Sequence, residues 1–209
     1  MKLIVISILS AALLSACGSV PKEHFYTLQP PAGSAIGSIG SIPINADGSP
    51  VRVVLAGFTL PDRVARPQLV VRRNAQSVQI LEQQRWAEPL NGAIQRVLAD
   101  NLSAQLGGLN VALRNDYVQR DGALQLSVDV LQFESVPGQE AILEVQWQWR
   151  NAAGALLGES RGVWREAVPG QGQTQGQGPS VADYTDLVAG HQRALQKCAG
   201  QIALSLPKR

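Results

Sequence analysis

Two histidines, two cysteines and a scatter of carboxylates are the side chains of this 209-residue chain whose types suit chemistry. A nucleophilic thiol needs a base within hydrogen-bond reach, about 2.6–3.2 Å. His191 and Cys198 sit seven residues apart on one apolar stripe, so a helix would hold them about two turns, roughly 10.5 Å, apart. That excludes a dyad, and Cys198 reads as a small buried hydrophobe. His24 lies near the N-terminal segment and reads as solvated. Asp183 and Asp186, three residues apart, could share acid–base work, but at a helix N-terminus the dipole accounts for them. GxSxG, HExxH, CxxC and glycine-rich phosphate loops are all absent from the sequence. The residues therefore predict no catalytic, metal or cofactor site. What remains is positive charge: six arginines fall between Arg63 and Arg96, with only Glu82 and Glu88 as acids in that window. Arg63, Arg66, Arg72, Arg73 and Arg85 form a candidate face for anionic lipid headgroups or an acidic partner, against the plainer reading of a solvated face.

Cys17 stands apart because of what precedes it. A basic Lys2 is followed by mostly apolar residues from Leu3 to Leu14, then by Ser15 and Ala16, which is the anatomy of a signal peptide. Twelve residues as a helix span about 18 Å, well short of the roughly 30 Å hydrocarbon core, so a permanent transmembrane anchor is disfavoured. Leu14-Ser15-Ala16-Cys17 resembles the lipobox of bacterial lipoproteins, in which the thiol is diacylglycerylated, the signal is cut before the cysteine and the new amine is acylated. Each buried CH₂ contributes about 0.8 kcal/mol, and although one myristoyl chain binds only marginally, three chains would hold almost permanently. Left unmodified, Cys17 would be an exposed thiol in an oxidising compartment. Gly18, rather than Asp, follows it, and by resemblance to enteric-type lipoproteins this implies the outer membrane, facing the periplasm. The expected organisation is a signal peptide at 1–16, a lipidated tether at 17–24 and one domain at 25–209.

The elements that would position these residues follow from periodicity. A net charge of +2 gives no single-sign field to hold nucleic acid. Phe25 to Leu28 predicts a short strand, and 29–50, rich in Gly, Ser and Pro, predicts a flexible loop. Strands are expected at Val51–Phe58, Gln68–Arg72 and Ser77–Leu81, the last two joined as a hairpin around Asn74-Ala75. Glu88-Pro89 announces a helix, Leu90, Ile94, Val97, Leu98 and Leu102 form its stripe, and Gly107-Gly108 end it. Alternation predicts further strands at Val111–Leu113, Ala123–Val130, Leu143–Trp149 and Leu156–Trp164, with Trp147 and Trp149 on the core face. The alternation breaks at Val130-Leu131, as a β-bulge would require. Low-complexity 170–179 predicts a second loop, and 181–204 a C-terminal amphipathic helix. The sum is a single α+β domain, a mainly antiparallel sheet with two amphipathic helices packed on it.

Several of these residues also match a known pattern. Leu60-Pro61, Arg66-Pro67-Gln68-Leu69-Val70, Trp86-Ala87-Glu88-Pro89-Leu90, Arg96-Val97-Leu98 and Asn101-Leu102, with the Phe25-Tyr26-Thr27-Leu28 strand, resemble the ABC-type transport auxiliary lipoprotein family (PqiC-like). The resemblance implies a non-enzymatic outer-membrane component of a system moving lipids between membranes. Its partners would be a periplasmic mammalian-cell-entry (MCE) domain protein and inner-membrane transport subunits. A sheet edge or helix face would dock the MCE protein, and a ring of identical subunits is compatible with that role without being fixed by the residues. The competing expectations are a structural or assembly lipoprotein that binds another envelope protein with no transport role, and a periplasmic hydrolase of unfamiliar type.

Overall fold

A computed structural model describes residues 22–30, 44, 48, 50–114, 122–168 and 180–207. The expected signal peptide, Cys17, most of the 29–50 loop and the 170–179 loop lie outside the described residues. Eight strands and two helices make up the described fold: β1 (His24–Tyr26), β2 (Val53–Thr59), β3 (Gln68–Arg72), β4 (Val78–Trp86), α1 (Leu90–Gln105), β5 (Val111–Leu113), β6 (Leu124–Val136), β7 (Glu140–Arg150), β8 (Leu156–Ala167) and α2 (Val181–Leu204).

The longest strand, β6, organises the sheet. It pairs antiparallel with β7 from Gln125↔Arg150 to Val136↔Glu140, and β7 pairs antiparallel with β8. On its other side the first half of β6 runs parallel to β2, which is parallel to β5 in turn. Near its end, Ser135 meets Val71 of β3; β4 then pairs antiparallel with β3, and β1 pairs parallel with β4 at the edge. The long ladders are antiparallel, as expected. The parallel pairs were not anticipated, because α1 sits between β4 and β5 as a crossover and sequence periodicity says nothing of direction.

Alternation places the core. Leu124, Leu126, Val128 and Val130 of β6 and Leu143, Val145, Trp147 and Trp149 of β7 face inward, with Gln125, Ser127, Asp129, Glu144, Gln146 and Gln148 between them at intermediate exposure. The register shifts between Val130 and Gln132, leaving Leu131 exposed and returning Phe133 to the core, so the broken pattern is a bulge. Helices α1 and α2 pack on each other, and α2 lies across β7 and β8. Ile94, Val97, Leu102, Leu187, Leu195, Cys198 and Ile202 are all buried in that layer.

Strand ends are where the expectations fall short. β4 continues past Leu81 to Trp86 because β1 supplies ladder partners to Gln84, Arg85 and Trp86. β6 and β7 extend to a tight turn at Pro137-Gly138, where Gly138 takes a positive φ of 68°, a conformation glycine adopts without a Cβ penalty. His24, expected in solvent, is the first residue of β1 and is partly buried.

Candidate functional site

The candidate arginines lie on the β2–β3 connection and on β3 and β4. Arg72 ends β3 beside the last turn of β6, and there its guanidinium forks onto Glu134, donating from Nε to Oε2 and from Nη2 to Oε1. Arg63 reaches the same carboxylate, Nη2 to Oε1 at 3.2 Å. Glu134 is 7% exposed, so it is a buried carboxylate held between two guanidiniums. Burial alone would push the Glu134 carboxyl up; hydrogen bonds from Arg72 and Gln132 and the charges of Arg72 and Arg63 outweigh it and hold it below the usual carboxylate range. Arg72 also ties the hairpin turn, donating from Nη1 to the carbonyls of Asn74 and Ala75 at 3.3 and 3.1 Å.

The five arginines do not form one patch. Arg73 donates from Nε to Gln79 Oε1 at 2.6 Å, next to the Arg63–Glu134–Arg72 cluster. Arg72, Arg73, Glu134, Gln139, Glu140 and Arg165 line a polar groove of about 480 Å³, with Arg165 paired to Glu140 at 2.8 Å. Arg85 pairs instead with Glu23 at 2.9 Å, just ahead of β1. Arg66 lines a separate, more apolar cavity of about 470 Å³ with Pro67, Trp86, Ala87, Glu88 and Pro89. That corner is where Trp86 closes the strand-to-helix junction: its ring is 8% exposed and meets Phe133 edge-on at 6.3 Å. Pro89 caps α1, its carbonyl accepting from Ala93 N at 3.1 Å, and Glu88 pairs with Arg96.

His191 and Cys198 are both core residues. His191 stacks on Phe133 with ring centroids 3.8 Å apart, and Nε2 lies 2.8 Å from Ser135 Oγ. Complete burial lowers its pKa to about 3, so the ring is neutral, and burial pushes the Cys198 thiol well above its usual value. A thiol kept protonated inside an apolar layer is inert. Asp183 accepts from Ser180 N and Ser180 Oγ, and Ser180 Oγ accepts from Asp183 N, completing a capping box for α2. The Ser180-x-x-Asp183 pattern carries that signal in the sequence. Nothing local marks the charge of Glu134, whose two arginine partners lie 62 and 71 residues away. Among the described residues, no helix is long and apolar enough to cross a membrane and no group of three or more His, Cys, Asp or Glu is placed to hold a metal ion.

Comparison with known proteins gives one family. The model of the ABC-type transport auxiliary lipoprotein component matches residues 26–203. No curated protein matches the chain. Among solved structures, it is similar to a crystal structure of an uncharacterised protein, with 19% identity and a TM-score of 0.65 over 89% of this chain and 99% of that one. It is also similar to protein XCC0632 from Xanthomonas campestris, of the family-model DUF330, with 14% identity and a TM-score of 0.57 over 86% of this chain and 92% of that one. At these identities the structural likeness speaks for the fold.

Proposed function

The chain belongs to the ABC-type transport auxiliary lipoprotein family, and from that premise we propose that it is a lipid-anchored, non-enzymatic part of an MCE-type system that moves lipid between the envelope membranes. Cys17 is the anchor. The observation that carries the reading is its place: a lipobox-like Leu14-Ser15-Ala16-Cys17 ends nine residues before the family match begins at residue 26. Acyl chains on Cys17 hold the domain at the outer membrane, facing the periplasm, while the domain docks the periplasmic MCE-domain protein.

The fold supports a docking part. β8 is twelve residues long and pairs only with β7 among the described strands, so its second edge offers unpaired backbone groups to an added strand. Leu157, Val163 and the salt-bridged Arg161 and Arg165 decorate its outer side. Of the candidate arginines, Arg73 is the one we assign to anionic headgroups, because it bonds an amide beside the hairpin turn, whereas Arg63, Arg72 and Arg85 are held by Glu134 and Glu23 and Arg66 lines the separate cavity beside Trp86.

Two measurements test the reading. Mass spectrometry of the mature N-terminus is expected to show acylation at Cys17. Affinity capture of the acylated protein from detergent-solubilised envelope is expected to recover an MCE-domain protein. Recovery of only barrel-assembly or peptidoglycan components removes the transport role and leaves an assembly lipoprotein.

A further inference from the structure

β1 and β4 run parallel, with His24 opposite Gln84 and Phe25 opposite Arg85. The chain therefore enters β1 from the side on which β4 begins, the side of the Asn74–Ser77 turn between β3 and β4. Because β3 runs parallel to β6, the β6–β7 turn at Pro137-Gly138 lies at that same end, and the β7–β8 turn at 151–155 lies at the opposite one. Gln84, level with His24, is seven residues beyond Ser77, and Cys17 is seven residues before His24. Seven residues extend to at most about 25 Å. Residues 82–84 of β4 have no ladder partner on β3, so the hairpin stands less than that above the start of β1 and the tether is long enough to reach its level.

That end carries apolar groups on its outside. Leu81 and Trp86 both point into the core although five residues apart, so β4 changes phase at the irregularity where Gln68 and Leu69 face Arg85 and Leu81. The change puts Val78 and Ile80 on one outer face near the turn, with Arg85 and its ladder partner Phe25 on the same face at the other end of β4. Phe25 is 60% exposed, Val78 48% and Ile80 39%. Positive charge accompanies them: Arg63 and Arg72 share the single carboxylate of Glu134, Arg165 is matched by Glu140, and Arg73 holds an amide. Apolar side chains beside surplus cations fit the surface of a bilayer that contains anionic lipid.

We propose that the β3–β4 hairpin end of the sheet, with Val78, Ile80 and Arg73, rests on the phospholipid headgroups of the bilayer in which Cys17 is anchored. The inference rests on the acylation of Cys17. It fixes the orientation of the domain: the hairpin end lies on the lipid, and the β7–β8 turn and the second edge of β8 are left to the periplasm and the partner.

The test uses the full, acylated protein in vesicles of phosphatidylethanolamine and phosphatidylglycerol. Acylated Cys17 has no free thiol and Cys198 is buried, so an environment-sensitive thiol probe reports on an introduced cysteine. At Ala75→Cys, in the exposed hairpin turn, the probe should shift to the blue and lose most of its emission to quenchers carried on the lipid headgroup. At Ala153→Cys, in the opposite turn, it should do neither. Without any substitution, amide exchange at 73–80 should slow on vesicles relative to 151–155. Equal exposure of both turns in protein shown to be acylated and vesicle-bound overturns the orientation and leaves the anchor standing. A mass spectrum showing no acyl group at Cys17 overturns both together.

Discussion

Glu134 is the residue on which the arginine cluster turns. Replacing it with glutamine keeps the shape but leaves Arg63 and Arg72 without their shared counter-charge, and Glu134→Gln should cost about 1–3 kcal/mol in urea unfolding near neutral pH. The pH dependence identifies the cause. The folded pKa of Glu134 is below its usual value of 4.5, so its contribution is complete above that value and is lost as pH falls through the depressed one. The wild-type and Glu134→Gln stability curves should therefore run parallel above about pH 5 and converge below it. His191 adds a slope common to both proteins. Its usual pKa of 6.5 drops to about 3 on burial, so the unfolded chain takes up a proton between those values while the folded one does not. Both proteins should lose about 1.4 kcal/mol per pH unit across that window from this group. Curves that stay parallel down to pH 2 would show that Glu134 does not hold its charge as the pair requires.

At the scale of elements, the end of α2 is fastened to the sheet through one hydroxyl. Trp147 and Trp149, neighbours on the inner face of β7, both donate from Nε1 to Ser205 Oγ at 2.9 and 3.0 Å, and that oxygen donates to the carbonyl of Ile202 at 2.7 Å. Ser205→Ala strands two buried indole N–H groups, and a loss of about 2–4 kcal/mol is expected in thermal unfolding with the secondary structure unchanged by circular dichroism. A loss below about 0.5 kcal/mol would mean that water replaces the hydroxyl at both rings. The tryptophans were legible as core from their alternation, and so were the extents of β3 and α2 and the bulge at Leu131. Periodicity records which face a side chain takes, and each of those features is a matter of face. Ser205 was not legible, because a polar residue just past a helix end looks like any other surface serine. Nor was the direction of β2 against β6, or the continuation of β4 to Trp86, since both depend on strands brought in from more than fifty residues away. The same limit governs the candidate site: Arg63 and Arg72 were visible as charge, while the carboxylate that joins them was not.

For the whole molecule, folding and placement should be separable. Among the described residues, every member of the main core lies at or beyond Tyr26, and the cluster runs from there through both helices to Ile202, the same span as the family match at 26–203. In the proposed organisation Cys17 belongs to a tether that precedes this span. Stability should therefore come from the domain, and location from the acyl chains. A diacylglyceryl group and an amide-linked chain together bury enough methylene to make release from a bilayer negligible, whereas a chain without them has only the exposed apolar row and surplus arginines to hold it, a contact that salt weakens. Cys17→Ser is expected to leave the thermal midpoint of the domain within a degree or two of wild type, the ordinary range for a surface change. The same variant should move from the membrane pellet to the soluble or unprocessed fraction, with any residual vesicle binding lost as sodium chloride rises. A variant that has lost residues 1–16 and still stays with the membrane at high salt would place the anchor elsewhere in the chain. A fall of many degrees in the midpoint would show that the first residues are part of the fold they were expected only to tether.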